Sequence, residues 1–150
     1  KRDGSVWTTD KDGIIMCLLA AEIKAVTGLS PLSYYEKVCK RLGRSTYTKR
    51  CDTAVSKEEK IRIAALDKSD IGVVKLGNAT ITDIETRSAY ENLSIGGIKI
   101  STADGWIAAR PSGTEDLYKL YSESYRSDEE AESLLQEGKV LIDEALRDKK

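Results

Sequence analysis

The sequence predicts an α+β fold: an antiparallel sheet of about four strands covered on one side by helices, with further helices ahead of it. Three observations lead there. Strand-like runs crowd the second half of the chain, at residues 79–87, GGIKIST, GWIAAR and LYKLYSES. The dipeptide Asp104-Gly105 between IKIST and WIAA is a strong hairpin signal. Two Ser-x-x-Glu capping boxes, Ser56 with Glu59 and Ser127 with Glu130, each announce a helix start.

The elements follow in order. GIIMCLLAAEIKAVT reads as a helix, with Asp12 placed to accept from orphan N–H groups and Gly28 just beyond its end. Ile14, Ile15, Leu18, Leu19, Ala21, Ile23 and Val26 cover most of its circumference, the pattern of a helix in the middle of a core. Its packing partners are expected upstream of Lys1, so the chain reads as a piece of something longer. Ser30-Pro31 opens a second helix, with proline where no N–H is needed, and Tyr34, Tyr35, Val38 and Leu42 fall at helical spacing before Gly43 stops it. GRSTYTKRCDTAV alternates loosely and reads as a strand or an extended connector. The helix opened by Ser56 is short, ending near Leu66. The last helix presents Leu134, Leu135, Leu141, Ile142, Ala145 and Leu146 on one face. The expected organisation is a helical part at 1–43, a connector at 44–53 and a sheet-bearing domain at 54–150.

Composition narrows the function classes. The 150 residues include 24 Lys and Arg against 25 Asp and Glu, for a formal net charge of -1, which argues against a general affinity for nucleic acid or anionic membranes. Any anion site must be local. There is no histidine, and Cys17, Cys39 and Cys51 form no CxxC pair, so the usual zinc ligand sets are missing. Three thiols without a pairing pattern fit a reducing cytoplasm. The longest apolar run, IIMCLLAA, is too short to span a bilayer.

The stretch RPSGTED, Arg110 to Asp116, joins two of the strand-like runs and is richer than a bare reversal requires. Pro111 restricts the backbone beside Arg110. Gly113 can adopt the positive φ that turns successive N–H groups into one concavity. Ser112 and Thr114 add hydroxyls, and Arg110 a planar fork matched to two phosphate oxygens. The residues alone leave two readings open: a plain hairpin turn with a solvated arginine, or a cradle for an anion.

At RPSGTE the sequence resembles the α-D-phosphohexomutase superfamily, closest to its bacterial phosphoglucomutase branch. The six residues match the phosphate-binding loop of that family's fourth domain without departure, and IGGIKISTADGWIAARPSGTEDLYKLYSESY resembles its strand-loop-strand passage. VWTTDKDGIIMCLLAAEI resembles the end of the third domain. The resemblance implies a TATA-box-binding-protein-like fourth domain preceded by third-domain helices. It implies an enzyme that interconverts glucose 1-phosphate and glucose 6-phosphate through a phosphoserine, with Mg2+ and glucose 1,6-bisphosphate as cofactor and intermediate.

By that resemblance Arg110, Ser112, Gly113 and Thr114 hold the substrate phosphate that is not transferred. Pro111 and Glu115 support the loop, Glu115 by orienting Arg110 or bonding loop N–H groups. Lys11 matches a lysine that lies near the substrate in the family and stabilises charge or moves a proton there, whereas its spacing alone favours a solvated lysine before a helix start. The family's phosphoserine, magnesium and sugar-recognition loops are not found here, so the resemblance implies that the missing domains of the same protein are the partners and that this stretch alone is inactive. Two alternatives remain: a phosphomannomutase of the same superfamily, and a non-enzymatic α+β module that binds a phosphorylated ligand or RNA through Tyr121, Tyr125 and Lys119.

Overall fold

The computed structural model describes Gly4 and residues 12–147, and Lys11 therefore lies outside the described residues. The chain divides into two compact units, Lys1–Ser45 and Thr46–Lys150.

The first unit is a helical pair, α1 (Gly13–Thr27) and α2 (Pro31–Leu42). Their ends form as the sequence predicts. The Asp12 carboxylate accepts from Ile15 N at 2.9 Å, the Ser30 hydroxyl oxygen accepts from Ser33 N at 3.1 Å, and Gly28 and Gly43 close the helices in the left-handed conformation. Neither helix has a buried residue among the described ones, and Ile14 is 75% and Leu18 64% exposed. No single described helix is long and apolar enough to cross a membrane.

The second unit is α+β. Its sheet runs in the order β1 (Tyr47–Ala54), β6 (Leu117–Ser124), β5 (Gly105–Pro111), β4 (Ser94–Thr102), β3 (Ala79–Arg87), β2 (Lys75–Leu76), and every pairing is antiparallel. The sheet thus has six strands rather than about four. One added strand is β2, whose two residues are too few to show any period. The other is β1, where Tyr47 opposite Ser124 and Ala54 opposite Leu117 make residues 47–53 of the expected connector part of the sheet. Its partner lies some seventy residues away, and a half-exposed edge strand carries a weak alternation signal.

Two helices, α3 (Lys57–Ala64) and α4 (Asp128–Arg147), pack on one face of this sheet. The Ser56–Glu59 capping box closes in both directions, at 2.7 and 3.1 Å. The second box closes halfway. Glu130 N donates to the Ser127 hydroxyl at 3.1 Å, while the Glu130 carboxylate turns to Ser124 Oγ. The core between the layers holds Ile63 from α3 and Leu66 just beyond it, Ile98, Ile100, Ile107, Tyr118 and Leu120 from the sheet, and Leu134, Leu135 and Ile142 from α4. Where β6 presents hydroxyls inward they are satisfied, with Ser122 Oγ donating to the Ala131 carbonyl at 2.7 Å. Burial pushes the Tyr118 phenol up to about 12.

The predicted β4–β5 hairpin forms, but its glycine acts differently from the sequence signal. Ala103 and Asp104 make the turn, neither having positive φ, and the Thr102 hydroxyl oxygen accepts from Asp104 N (3.2 Å) and Gly105 N (3.1 Å). Gly105 opens β5 without positive φ. It is required for close approach, since a Cβ there would collide with the Glu123 carbonyl oxygen and lie 3.0 Å from Leu134 Cδ1. Because the obstacle is backbone, Gly105→Ala should destabilise the domain by about 2–3 kcal/mol, read as a lowered midpoint in urea unfolding. An unchanged midpoint would show that the strands part there at no cost.

Candidate phosphate-binding site

The alternation of β5 and β6 decides where each candidate residue points. Ile107, Ala109, Tyr118, Leu120 and Ser122 face the helices, so Trp106, Ala108, Arg110, Lys119, Tyr121 and Glu123 face the opposite, open side. The register sets Arg110 beside Lys119 and Ala108 beside Tyr121, and on the other flank of β6 it sets Asp52 beside Lys119 and Arg50 beside Tyr121. The open face therefore carries a row of Asp52, Lys119 and Arg110 next to a row of Arg50, Tyr121 and Ala108.

Residues 112–116 form the loop at the tip of the β5–β6 hairpin, closed by Ser112 N donating to the Leu117 carbonyl at 2.9 Å. Two neighbouring elements tie the loop down. Lys60 of α3 donates to the Glu115 carbonyl at 2.6 Å and lies 3.5 Å from the Asp116 carboxylate, and Val55 N donates to the Asp116 carbonyl at 3.2 Å. The capping box that starts α3 thus also places Lys60 under the far end of the loop.

Within the loop the candidates separate. Gly113, Thr114 and Glu115 are exposed, as is Arg110, but Ser112 is only 6% exposed and sits beneath the rim rather than on it. The positive φ expected at Gly113 does not occur, so the loop lacks the left-handed residue that would fold its N–H groups into a nest. What Gly113 provides is room: a Cβ there would meet nothing within 4 Å. The N–H groups of Gly113 and Thr114 are bonded to no described residue. The Glu115 carboxylate approaches Lys119, at 3.7 Å, and not Arg110.

The electrostatics single out one cation. Arg50 makes a two-pronged bond to Asp52, Nε to Oδ1 at 2.8 Å and Nη2 to Oδ2 at 2.6 Å. Lys119 stands 4.0 Å from Asp52 and 3.7 Å from Glu115. Arg110 has no ion pair with any described residue, and its contact is with the Tyr121 ring, 6.0 Å from Cζ to the centroid. A second group lies farther along the open face, where Trp106 Nε1 donates to Glu123 at 3.2 Å and Lys99 pairs with Glu85 at 2.9 Å. Nearly every open-face charge is compensated, and Arg110 beside the loop is left over.

Residues 54–138 match the family described as phosphoglucomutase/phosphomannomutase, C-terminal domain, a span that contains the whole loop and the β5–β6 hairpin. The chain belongs to that family. Over 127 residues it is 46% identical to a protein named phosphoglucomutase from Komagataeibacter xylinus, covering 85% of this chain and 23% of the relative. It is 35% identical over 69 residues to a phosphoglucomutase/phosphomannomutase from Thermococcus kodakarensis, covering 46% of this chain and 15% of that one. A probable phosphoglucosamine mutase from Thermococcus gammatolerans is 41% identical over 59 residues, covering 39% of this chain and 13% of its own. The chain thus spans less than a quarter of the length of these curated relatives. Its fold of one sheet with helices on one face is the architecture the resemblance implied, with six strands.

The sequence alone does not assign Arg50 or Asp52 to the site, and it offers Tyr121 only as part of an RNA-binding face. Their alternation within YTKRCDTA and LYKLYSES was visible, but the register that brings them to Arg110 was not. The Arg50 guanidinium, followed by the Lys119 ammonium, holds the Asp52 carboxyl below the usual aspartate range. The sign follows: a depressed carboxyl stabilises the fold above its unfolded pKa, and the contribution is lost as pH falls through the folded value. An NMR titration should place the Asp52 pKa below the model-peptide value of about 3.9, and Arg50→Met should raise it. An identical titration in both proteins would remove Arg50 as the cause.

Proposed function

We propose that this chain is the phosphate-gripping C-terminal part of a phosphohexomutase that interconverts glucose 1-phosphate and glucose 6-phosphate, with Arg110, Ser112, Gly113 and Thr114 holding the phosphate that is not transferred. The observation that carries the reading is the uncompensated Arg110 guanidinium beside an exposed loop whose Gly113 and Thr114 N–H groups have no described acceptor. A guanidinium fork with N–H donors recognises a phosphate dianion with little regard for the sugar carbon behind it. That indifference suits a mutase, whose bisphosphorylated intermediate must present first one end and then the other to the same phosphoserine. Ser112 contributes its hydroxyl on this reading only if ligand binding draws it toward the rim.

Residues 1–43 would be the end of the preceding domain and 54–150 the gripping domain, with the intervening 44–53 joining the two and supplying the edge strand β1 to the sheet, Pro111 and Glu115 as loop supports and Lys11 near the reacting groups. The phosphoserine and the Mg2+ loop would belong to other domains of the same cytoplasmic protein, and those domains are its partners. Among the described residues no three His, Cys, Asp or Glu side chains gather to hold a metal, and no step is assigned to Mg2+ on this chain. Glucose 1,6-bisphosphate would engage the same Arg110 through whichever phosphate lies away from the phosphoserine.

A second reading, with mannose phosphates as substrates, is favoured by the double name of the Thermococcus kodakarensis relative. An RNA-binding face is disfavoured, because Arg50 and Lys119 already have carboxylate partners and offer little to a phosphate backbone.

In the full-length protein, Arg110→Ala should cost about 2–3 kcal/mol of phosphate interaction, or roughly 30- to 150-fold in kcat/KM. Wild-type kinetics in that variant would refute the role of Arg110. The 150-residue chain by itself should show no turnover of glucose 1-phosphate with Mg2+ and glucose 1,6-bisphosphate present. Robust activity there would refute the assignment of the transfer chemistry to other domains.

A further inference from the structure

We infer that Tyr121 is a positioning residue for Arg110, itself held by the Asp52–Arg50 pair, an inference that rests on the phosphate-gripping role of Arg110. Arg110 stands near the end of β5 with a long side chain and no ion pair among the described residues. A side chain of that kind loses considerable rotamer freedom when it grips a ligand, and anything that orders it beforehand lowers that loss. The Tyr121 ring is the contact available to do so.

The geometry explains why the ring stands where it does. Tyr121 faces the open side directly between Arg50 on β1 and Ala108 on β5. The small Ala108 side chain leaves the β5 side of the ring clear, and the Arg110 guanidinium reaches it diagonally, 6.0 Å from the centroid. Arg50 approaches the same ring to 5.7 Å. Two guanidiniums on one ring would repel each other, but Asp52 neutralises Arg50 through both carboxylate oxygens. Lys119, which separates Asp52 from Arg110 in the adjoining row, is compensated by Asp52 and Glu115. The ring is thus held from the β1 side by a neutral pair and offers Arg110 its quadrupole without a competing net charge.

The test is a double-mutant cycle on the full-length protein, with steady-state kinetics on glucose 1-phosphate. If Tyr121 only orders Arg110, binding weakens equally in the ground and transition states, so Tyr121→Leu should raise KM by about three- to tenfold and move kcat by less than about twofold. Tyr121→Phe, which keeps the ring face, should return KM to the wild-type value. In an Arg110→Ala background Tyr121→Leu should add nothing, because the group it orders is gone. An unchanged KM in Tyr121→Leu, or a loss as large in the Arg110→Ala background as in the wild type, overturns the inference. Asp52→Asn, which releases Arg50 at nearly constant shape, should show the same non-additivity and decides the matter should Tyr121→Leu not fold. Wild-type kinetics in Arg110→Ala alone would bring down the gripping role itself. An impaired Arg110→Ala combined with an additive Tyr121→Leu would bring down only the positioning role.

Discussion

The antiparallel register of β5 with β6 is the constraint on which the site depends. Pairing Pro111 with Tyr118 and Ala109 with Leu120 sends Ala109, Tyr118 and Leu120 under the helices and leaves Arg110, Lys119 and Tyr121 on the open face. A slip of one residue would exchange the two sets, burying a guanidinium and exposing a core. The register is enforced by burial: Tyr118 and Leu120 are wholly inaccessible, and each side chain of that size contributes about 1.5–3 kcal/mol when it leaves water. The hydrophobic layer therefore aims the arginine as well as stabilising the domain.

The helices act on the loop in turn. The Ser56–Glu59 box fixes the start of α3, and one turn later Lys60 holds the Glu115 carbonyl and approaches Asp116. On the other flank Val55 bonds the Asp116 carbonyl. The loop is anchored through its C-terminal half, while the N–H groups of Gly113 and Thr114 bond no described residue and a Cβ on Gly113 would meet nothing within 4 Å. Anchoring one half and baring the other reconciles a defined loop position with access for an anion.

Charge compensation completes the arrangement. Asp52 serves both Arg50 and Lys119, and Glu115 shares Lys119, so the cations around Arg110 are already satisfied before any ligand arrives. An overall charge of -1 thus coexists with a local surplus of positive charge at one guanidinium. On the proposed reading, such a site would grip a dianion locally without the long-range attraction for polyanions that a strongly basic surface would create.

Much of this was legible in the residues themselves. The helix ends were, because Asp12, Ser30, Ser56, Gly28 and Gly43 act through bonds spanning only a few residues. So were β3, β4, β5 and β6 and the loop Arg110–Glu115, whose ordered string of residues pointed to its family. Local chemistry also misled at Gly113, whose positive φ does not occur and which offers open space, while Gly105, read as a hairpin signal, also avoids a collision with Glu123 across the sheet. The sixth-strand partner β1, the burial of Ser112, the diversion of Glu115 to Lys119 and the Asp52–Arg50–Tyr121 support of Arg110 were decided only by tertiary structure. The physical reason is sequence distance: Arg50 and Tyr121 meet across seventy residues, through a register that no local pattern encodes. Local bonds write themselves into neighbouring residues, and long-range contacts do not.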